Sequence, residues 1–246
     1  MEQRDNSTFL ADLKEWNIEL NNTQLAQLET YYEMLVEKNK VMNLTAITEY
    51  EDVLKKHFLD SLALSQLMNL SGKKFKLLDM GTGAGFPGIP LKIAFPELEV
   101  TLMDSLNKRI VFLQDVISEL GLTGITAVHG RAEEAALKPE YRERFDFCVS
   151  RAVARLVSLS EFCIPFVKQG GYFIPYKSGE IKEELLEAKF AIRELGCEYR
   201  KTYEYQLPNS DIERTLIQIE KFKQTSKKYP RGGGKPLKQP LLSVKK

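Results

Sequence analysis

Apolar positions change their period once along this 246-residue chain. In residues 1–72 they recur at helical spacing. Phe9, Leu10, Leu13 and Trp16 predict a short first helix, and Leu25, Leu28, Tyr32, Leu35 and Val36 line one face of a longer helix starting at Asn22 or Thr23. Thr48 and Glu51 form a capping-box pattern that opens a third, EYEDVLKKHFLDSLALSQLM. From Phe75 onward strand-like and helical runs alternate. Strands are expected around Lys76–Met80 and at 98–103, 124–129, 145–150 and 171–176, with helices at 106–120, after Arg131, and at 153–167 and 180–195. Two last runs, 198–207 and 214–222, have a period nearer two and are expected to pair antiparallel at the sheet edge. The pattern predicts an α/β, doubly wound Rossmann-like sheet of about seven strands, the last antiparallel, behind a helical N-terminal extension.

Chemistry enters where the first strand ends. LLDMGTGAGFPGIPL carries Asp79 and then the alternating Gly81, Gly83 and Gly85, followed by Phe86 and a helix whose first turn tolerates Pro87 and Pro90 and which Pro96 ends. Gly83, Gly85 and Gly88 also match G-x-G-x-x-G, so two cofactors compete for this turn. A dinucleotide places its pyrophosphate at the helix N-terminus, a spot that Phe86 and Pro87 would crowd. S-adenosylmethionine has no phosphate and carries an α-amino group and a sulfonium, which suit an acid at the strand end; the stretch favours it over NAD. Asp104 closes the second strand, about 20 residues past the glycines, where a carboxylate can accept both ribose hydroxyls or, alternatively, cap the next helix.

Composition sets bounds around that site. With 43% apolar and 28% charged residues, the chain suits one main α/β domain with an appendage. Cys148, Cys163 and Cys197 are far apart and form no C-x-x-C, MEQRDNSTF lacks a leader pattern, and no apolar run approaches the ~20 residues of a membrane span. A reduced, cytoplasmic protein without metal is expected, with a monomer as the starting assumption. The net charge of +1 conceals nine Lys and Arg and no acid in residues 221–246, which leaves the preceding 220 residues at −8. Such a tail, with Lys227, Lys228, Arg231 and Gly232–Gly234, reads either as an arm that tracks a nucleic-acid phosphate backbone or as a solvated end. The expected organisation is 1–72 as helical extension packed on the core, 73–222 as the cofactor-binding α/β domain and 223–246 as basic flexible tail.

The stretches MNLTAI, KHFLDSL, LLDMGTGAGFPGIPLKI, MDSLNKR, HGRAEE, SRAVA and KKYPRGGGKP occur in the order in which they stand in the RsmG (GidB) family, which the chain resembles over nearly its whole length. The resemblance implies a class I S-adenosylmethionine-dependent methyltransferase that modifies N7 of a guanine in 16S ribosomal RNA, free or in the small subunit. It implies cofactor contacts at Gly81, Phe86, Ala132, Glu133 and Arg151, beside Asp79, Gly83, Gly85 and Asp104 from the loop and strand pattern. Glu133 also suits the start of a helix as an acid favoured by the dipole. Arg151 follows the buried strand FDFCVS and is expected to line the reactive centre as the one catalytic candidate. Arg131, Arg155 and Lys177 follow strand ends on the same edge and, with Lys227, Lys228 and Arg231, are the expected RNA contacts.

Missing residues narrow the chemistry further. Methyltransferases acting on amino groups resemble one another in an Asp/Asn-Pro-Pro-aromatic stretch after the fourth strand, where Ser150-Arg151-Ala152-Val153 stands here. Carbon methylation needs an accessible cysteine thiolate, and all three cysteines read as core or edge residues. Guanine N7 has a free lone pair and needs no base, so His57 and His129 are expected in structural or supporting roles. Methylation of another RNA or of a small molecule is the alternative activity.

Overall fold

The computed structural model describes residues 4–151, 153–179 and 181–243. Seven strands, β1 (Lys76–Met80), β2 (Glu99–Asp104), β3 (Ile125–His129), β4 (Phe145–Arg151), β5 (Val167–Lys177), β6 (Cys197–Gln206) and β7 (Glu213–Lys221), form one sheet in the order β3-β2-β1-β4-β5-β7-β6. β1 to β5 run parallel; β7 lies antiparallel between β5 and β6. Strand order reverses beside β1, whose neighbours are β2 and β4. Loops leaving the carboxyl ends of β1 and β4 diverge there and leave the crevice in which open α/β sheets bind ligands. The last two runs do pair antiparallel, but only β6 is an edge; β7 is buried along most of its length.

Alternation along the central strands divides the core into two layers. Leu77, Leu102, Phe147 and Val149 face one layer, and Leu78, Met103, Cys148 and Phe173 the other. The first layer is covered by α6 (Gly88–Ala94) and α7 (Asn107–Glu119), and by the N-terminal helices α1 (Ser7–Glu15) and α2 (Asn22–Met42) with the helical run 50–67. The second is covered by α8 (Ala132–Ala135), α9 (Leu156–Cys163) and α10 (Lys182–Glu194). No helix among the described residues is long and apolar enough to cross a membrane.

Local differences from the sequence expectation have physical causes. On α2 the buried face is Leu28, Tyr31 and Leu35, with Tyr32 only half buried, because the Tyr31 hydroxyl reaches the Ala84 carbonyl at 2.5 Å and needs the inward position. The helix after Thr48 is broken into α3 (Tyr50–Val53), a π-helical turn Leu54–Leu59, α4 (Asp60–Leu62) and α5 (Leu64–Leu67). Its N-cap is Glu49 without a side-chain bond, so the Thr48–Glu51 capping box does not form. The widened turn carries Lys55, Lys56 and His57. The expected helix 153–167 shortens to α9 and a 3-10 turn, Ile164–Phe166, around Pro165, and β5 begins earlier, at Val167.

The larger difference is the tail, expected as a flexible basic arm. Its described part is bound to the second layer. Arg231 meets the buried Glu161 through its backbone N–H at 2.7 Å and its guanidinium at 2.9 and 2.7 Å. Arg142 donates to the carbonyls of Tyr229 and Thr225, Ser158 to that of Pro236, and Tyr229 is buried. A short helix, α11 (Lys235–Lys238), follows. Lys228 pairs with Glu194, and Lys221, fully buried, with Glu143. Part of the +9 tail is therefore neutralised by the acidic body itself; Lys245 and Lys246 lie outside the described residues. Arg231→Ala would strand the Glu161 carboxylate in the apolar α9 packing. Because Arg231 is itself partly exposed, the expected loss is roughly 2–3 kcal/mol, below that of a fully buried pair. Urea unfolding measures it, and an unchanged midpoint would contradict the clasp.

Candidate active site

The turn after β1 is organised from beneath. Asp79 is fully buried, and its Oδ2 accepts from the Thr82 hydroxyl at 2.6 Å and from the Gly88 N–H at 2.8 Å, fastening both ends of the glycine turn to the strand. Gly81, Gly83 and Gly85 take positive φ, which costs an L side chain free energy. At Gly81 a Cβ would also stand 2.6 Å from a Val153 methyl, whereas at Gly83 it would point into open space. Asp104, at the end of β2, accepts from the Gly83 N–H at 3.0 Å, the Leu106 N–H at 2.9 Å and the Arg109 guanidinium at 3.1 Å. It thus both ties down the loop and turns the chain toward α7.

The facing wall comes from the N-terminal helices and the end of β4. Phe86 stacks on His57 with centroids 4.6 Å apart, and the Arg151 guanidinium carbon lies 5.0 Å from the Phe86 ring centre. Arg151 pairs with the buried Asp60 at 2.9 Å and lies 3.4 Å from both the Lys56 carbonyl and His57 Nδ1. Burial foremost, and then the Arg151 charge, push His57 down to about 4. The ring is neutral at working pH, with Nδ1 free to accept from Arg151 and Nε2 2.8 Å from the Thr45 hydroxyl. Between the walls lies a crevice of about 820 Å³.

Gly81, Gly83, Phe86, Asp104, Arg151 and Lys177 line that crevice together. Asp79 and Gly85 sit behind the loop rather than on its surface, and a Cβ on Gly85 would meet Tyr31 and Ile89. Phe86 is enclosed by Tyr31, His57, Phe58 and Arg151, which leaves it only 6% exposed. Ala132, Glu133 and the N-cap Arg131 open α8 just beyond His129, the strand partner of Asp104, and are not among the residues lining the crevice. Lys177 spends its ammonium on Glu184 at 2.7 Å and the Ala154 carbonyl at 2.9 Å. Arg155 is mostly exposed and paired with Glu187. Lys227, Lys228 and Arg231 are not among the lining residues; the last two are held by Glu194 and Glu161.

Sequence reasoning missed Asp60, Arg214, Arg109 and Thr82. A carboxylate inside the apolar stretch HFLDSL was a signal for Asp60, since a buried acid needs a partner. The cysteines are all buried, with the Cys148 thiol raised well above its ordinary value by burial and Cys197 pushed up to about 12, chiefly by the same cause.

The strand order, the antiparallel β7 and the glycine turn at the switch point define a class I S-adenosylmethionine-dependent methyltransferase fold. Solved structures share it. YcgJ of Bacillus subtilis superposes with a TM-score of 0.50 at 14% identity over 68% of this chain and 100% of that one. MtNAS does so with 0.54 at 16% identity over 89% and 82%. The GidB family pattern, described as rRNA small subunit methyltransferase G, matches residues 24–228, and the chain belongs to that family. It is 60% identical, over 98% of its own length and 100% of the relative's, to the "Ribosomal RNA small subunit methyltransferase G" of Lachnoclostridium phytofermentans. A protein of the same name from Staphylococcus epidermidis is 54% identical over 94% and 95%.

The crevice suits the cofactor of that class. Asp79 Oδ1 is buried and has no partner among the described residues, and burial raises this carboxyl to about 6 despite the bonds from Thr82 and Gly88. Between its ordinary value of 3.8 and about 6 the folded state keeps a proton that the unfolded chain loses, so the stability Asp79 contributes is full below about pH 3.8 and is lost as pH rises through about 6. A cationic ligand nearby favours the ionised form. Cofactor affinity is expected to rise between about pH 5 and about pH 7. Asp79→Asn should bind S-adenosylmethionine weakly with a flat profile while unfolding no more easily at neutral pH. Equilibrium dialysis checks it, and a flat wild-type profile would contradict it.

Proposed function

We propose that this protein transfers the methyl group of S-adenosylmethionine to N7 of a guanine in 16S ribosomal RNA. What carries the reading is the pairing of family membership with a crevice whose lining, among the described residues, holds no cysteine and has each of its carboxylates, Asp60, Asp104 and Glu184, paired with a cation. The bound cofactor supplies an electrophilic methyl on sulfur. Gly81 and Gly83 would let backbone approach it, Asp104 would accept from its ribose, Asp79 would balance its positive charge from below, and Ala132 and Glu133 would flank its base.

The chain's own groups match a nucleophile that needs no deprotonation. His57 is a neutral, very weak base, the thiols are buried, and the Ser150 hydroxyl is spent on the Met80 carbonyl at 2.8 Å. Guanine N7 presents an unprotected lone pair, so extracting the base from its stack and aligning it carries most of the acceleration. Arg151, fixed at the crevice by Asp60, is the group best placed to orient the base or its phosphate. Lys177, Arg131 and Arg155 would add contacts along the same edge.

Label from S-adenosylmethionine should appear on 16S ribosomal RNA, supplied free or in the small subunit, with the better substrate giving the assembly stage. Gly81→Ala forces a methyl against Val153 and Arg151→Ala removes the orienting cation. Both should lose on the order of a hundredfold or more in transfer, the scale set by misplacing a reacting group. Cofactor binding with no label on either RNA would assign the methyl to another acceptor.

A further inference from the structure

The wall built by the N-terminal helices and by β4, β5 and β7 contains four cations, Lys56, Arg151, Lys177 and Arg214. Two are balanced one to one, Lys56 by Asp52 at 2.8 Å and Lys177 by Glu184 at 2.7 Å. The other two share a single acid. Asp60 Oδ2 accepts from Arg151 Nη1 at 2.9 Å, while Oδ1 accepts from the Tyr205 hydroxyl at 3.1 Å and lies 3.5 Å from Arg214 Nε. Among the described residues Asp60 is the one carboxylate within ion-pair distance of either guanidinium, so two positive charges share one acid in a partly desolvated cleft, where charge counts for more than on an open surface. Asp60 is almost wholly buried, but 14% of the Arg151 side chain and 25% of that of Arg214 are open to the crevice. Arg214 is carried there by the β5–β7 register, which sets Thr215 opposite Lys177 at the mouth. Besides Asp60 it donates to the Glu213 carbonyl, and a guanidinium has five N–H donors, so capacity remains for an anion.

We propose that Arg151 and Arg214 form a receptor for one phosphodiester of the bound RNA, and that Asp60 is the positioning residue that holds the pair. The proposal rests on the RNA reading above and adds to it two residues, Asp60 and Arg214, and a ligand group. Planar guanidiniums bind phosphate oxygens in two-pronged fashion, and a phosphate fixed at this point sets the register of the adjoining nucleotide against the glycine loop. Asp60 acts through the arginines. Without it they would still be cationic but no longer aimed.

Two variants separate aiming from charge and from folding, measured with purified small subunits and with free 16S ribosomal RNA. Arg214→Gln leaves the Asp60–Arg151 pair in place. It should weaken RNA binding several-fold and shallow the plot of log affinity against log salt by about one, with S-adenosylmethionine affinity unchanged. Asp60→Asn removes the one acid that pairs with both arginines among the described residues. It should bind RNA at least as tightly as wild type at low salt yet lower kcat on the order of a hundredfold. Wild-type affinity and slope in Arg214→Gln would overturn the receptor. Parallel loss of RNA affinity, cofactor affinity and thermal stability in Asp60→Asn would make Asp60 merely structural and overturn its positioning role. If wild type labelled neither RNA, the assigned reaction would fail, and the salt slope of Arg214→Gln would still decide the receptor.

Discussion

The carboxylate of Asp79, buried beneath the glycine turn, is the constraint on which the crevice depends. One oxygen pins Thr82 and Gly88, so the turn is held at both ends by a single side chain. The other oxygen has no partner among the described residues, and burial raises the group to about 6, a desolvation cost that the ionised carboxylate carries at neutral pH. Strain of this kind survives where surrounding structure enforces it and a ligand relieves it. The close packing of Gly88 against Asp79 and Leu102 shows why no side chain is admitted there.

A second constraint joins the appendage to the sheet. Asp60, His57 and the Lys56 carbonyl, all from the N-terminal helical run, surround the Arg151 guanidinium that ends β4. Tyr31, from α2, reaches the glycine loop through the Ala84 carbonyl. The helices before the sheet therefore supply one wall of the crevice as well as cover for a core layer. The π-helical turn at Leu54–Leu59 places Lys56 and His57 on that wall immediately before Asp60.

The parts of this arrangement visible in the sequence are those fixed by local chemistry. The glycine turn, the strand-end acids and the alternation of strands with helices each follow from neighbouring residues, and the structure has them near their expected positions. The partnership of Asp60 with Arg151 joins residues 91 apart in sequence, and nothing local to either announces the other. The tail misled for a related reason. A run of cations reads as solvated or RNA-seeking until Glu161, inside the apolar helix α9, is known to face Arg231. The inward turn of Tyr31 instead of its neighbour was likewise set by a distant carbonyl rather than by helical period.

The account stands or falls on the atom that receives the methyl group. The direct measurement is enzymatic digestion of the methyl-labelled 16S ribosomal RNA to nucleosides, followed by chromatography against standards. A crevice that aligns a nucleophile without deprotonating it predicts that the label elutes as 7-methylguanosine. Label on an exocyclic amino group, a ribose hydroxyl or a pyrimidine carbon would call for an unpaired base or a thiolate, which the described lining does not offer, and would contradict the account.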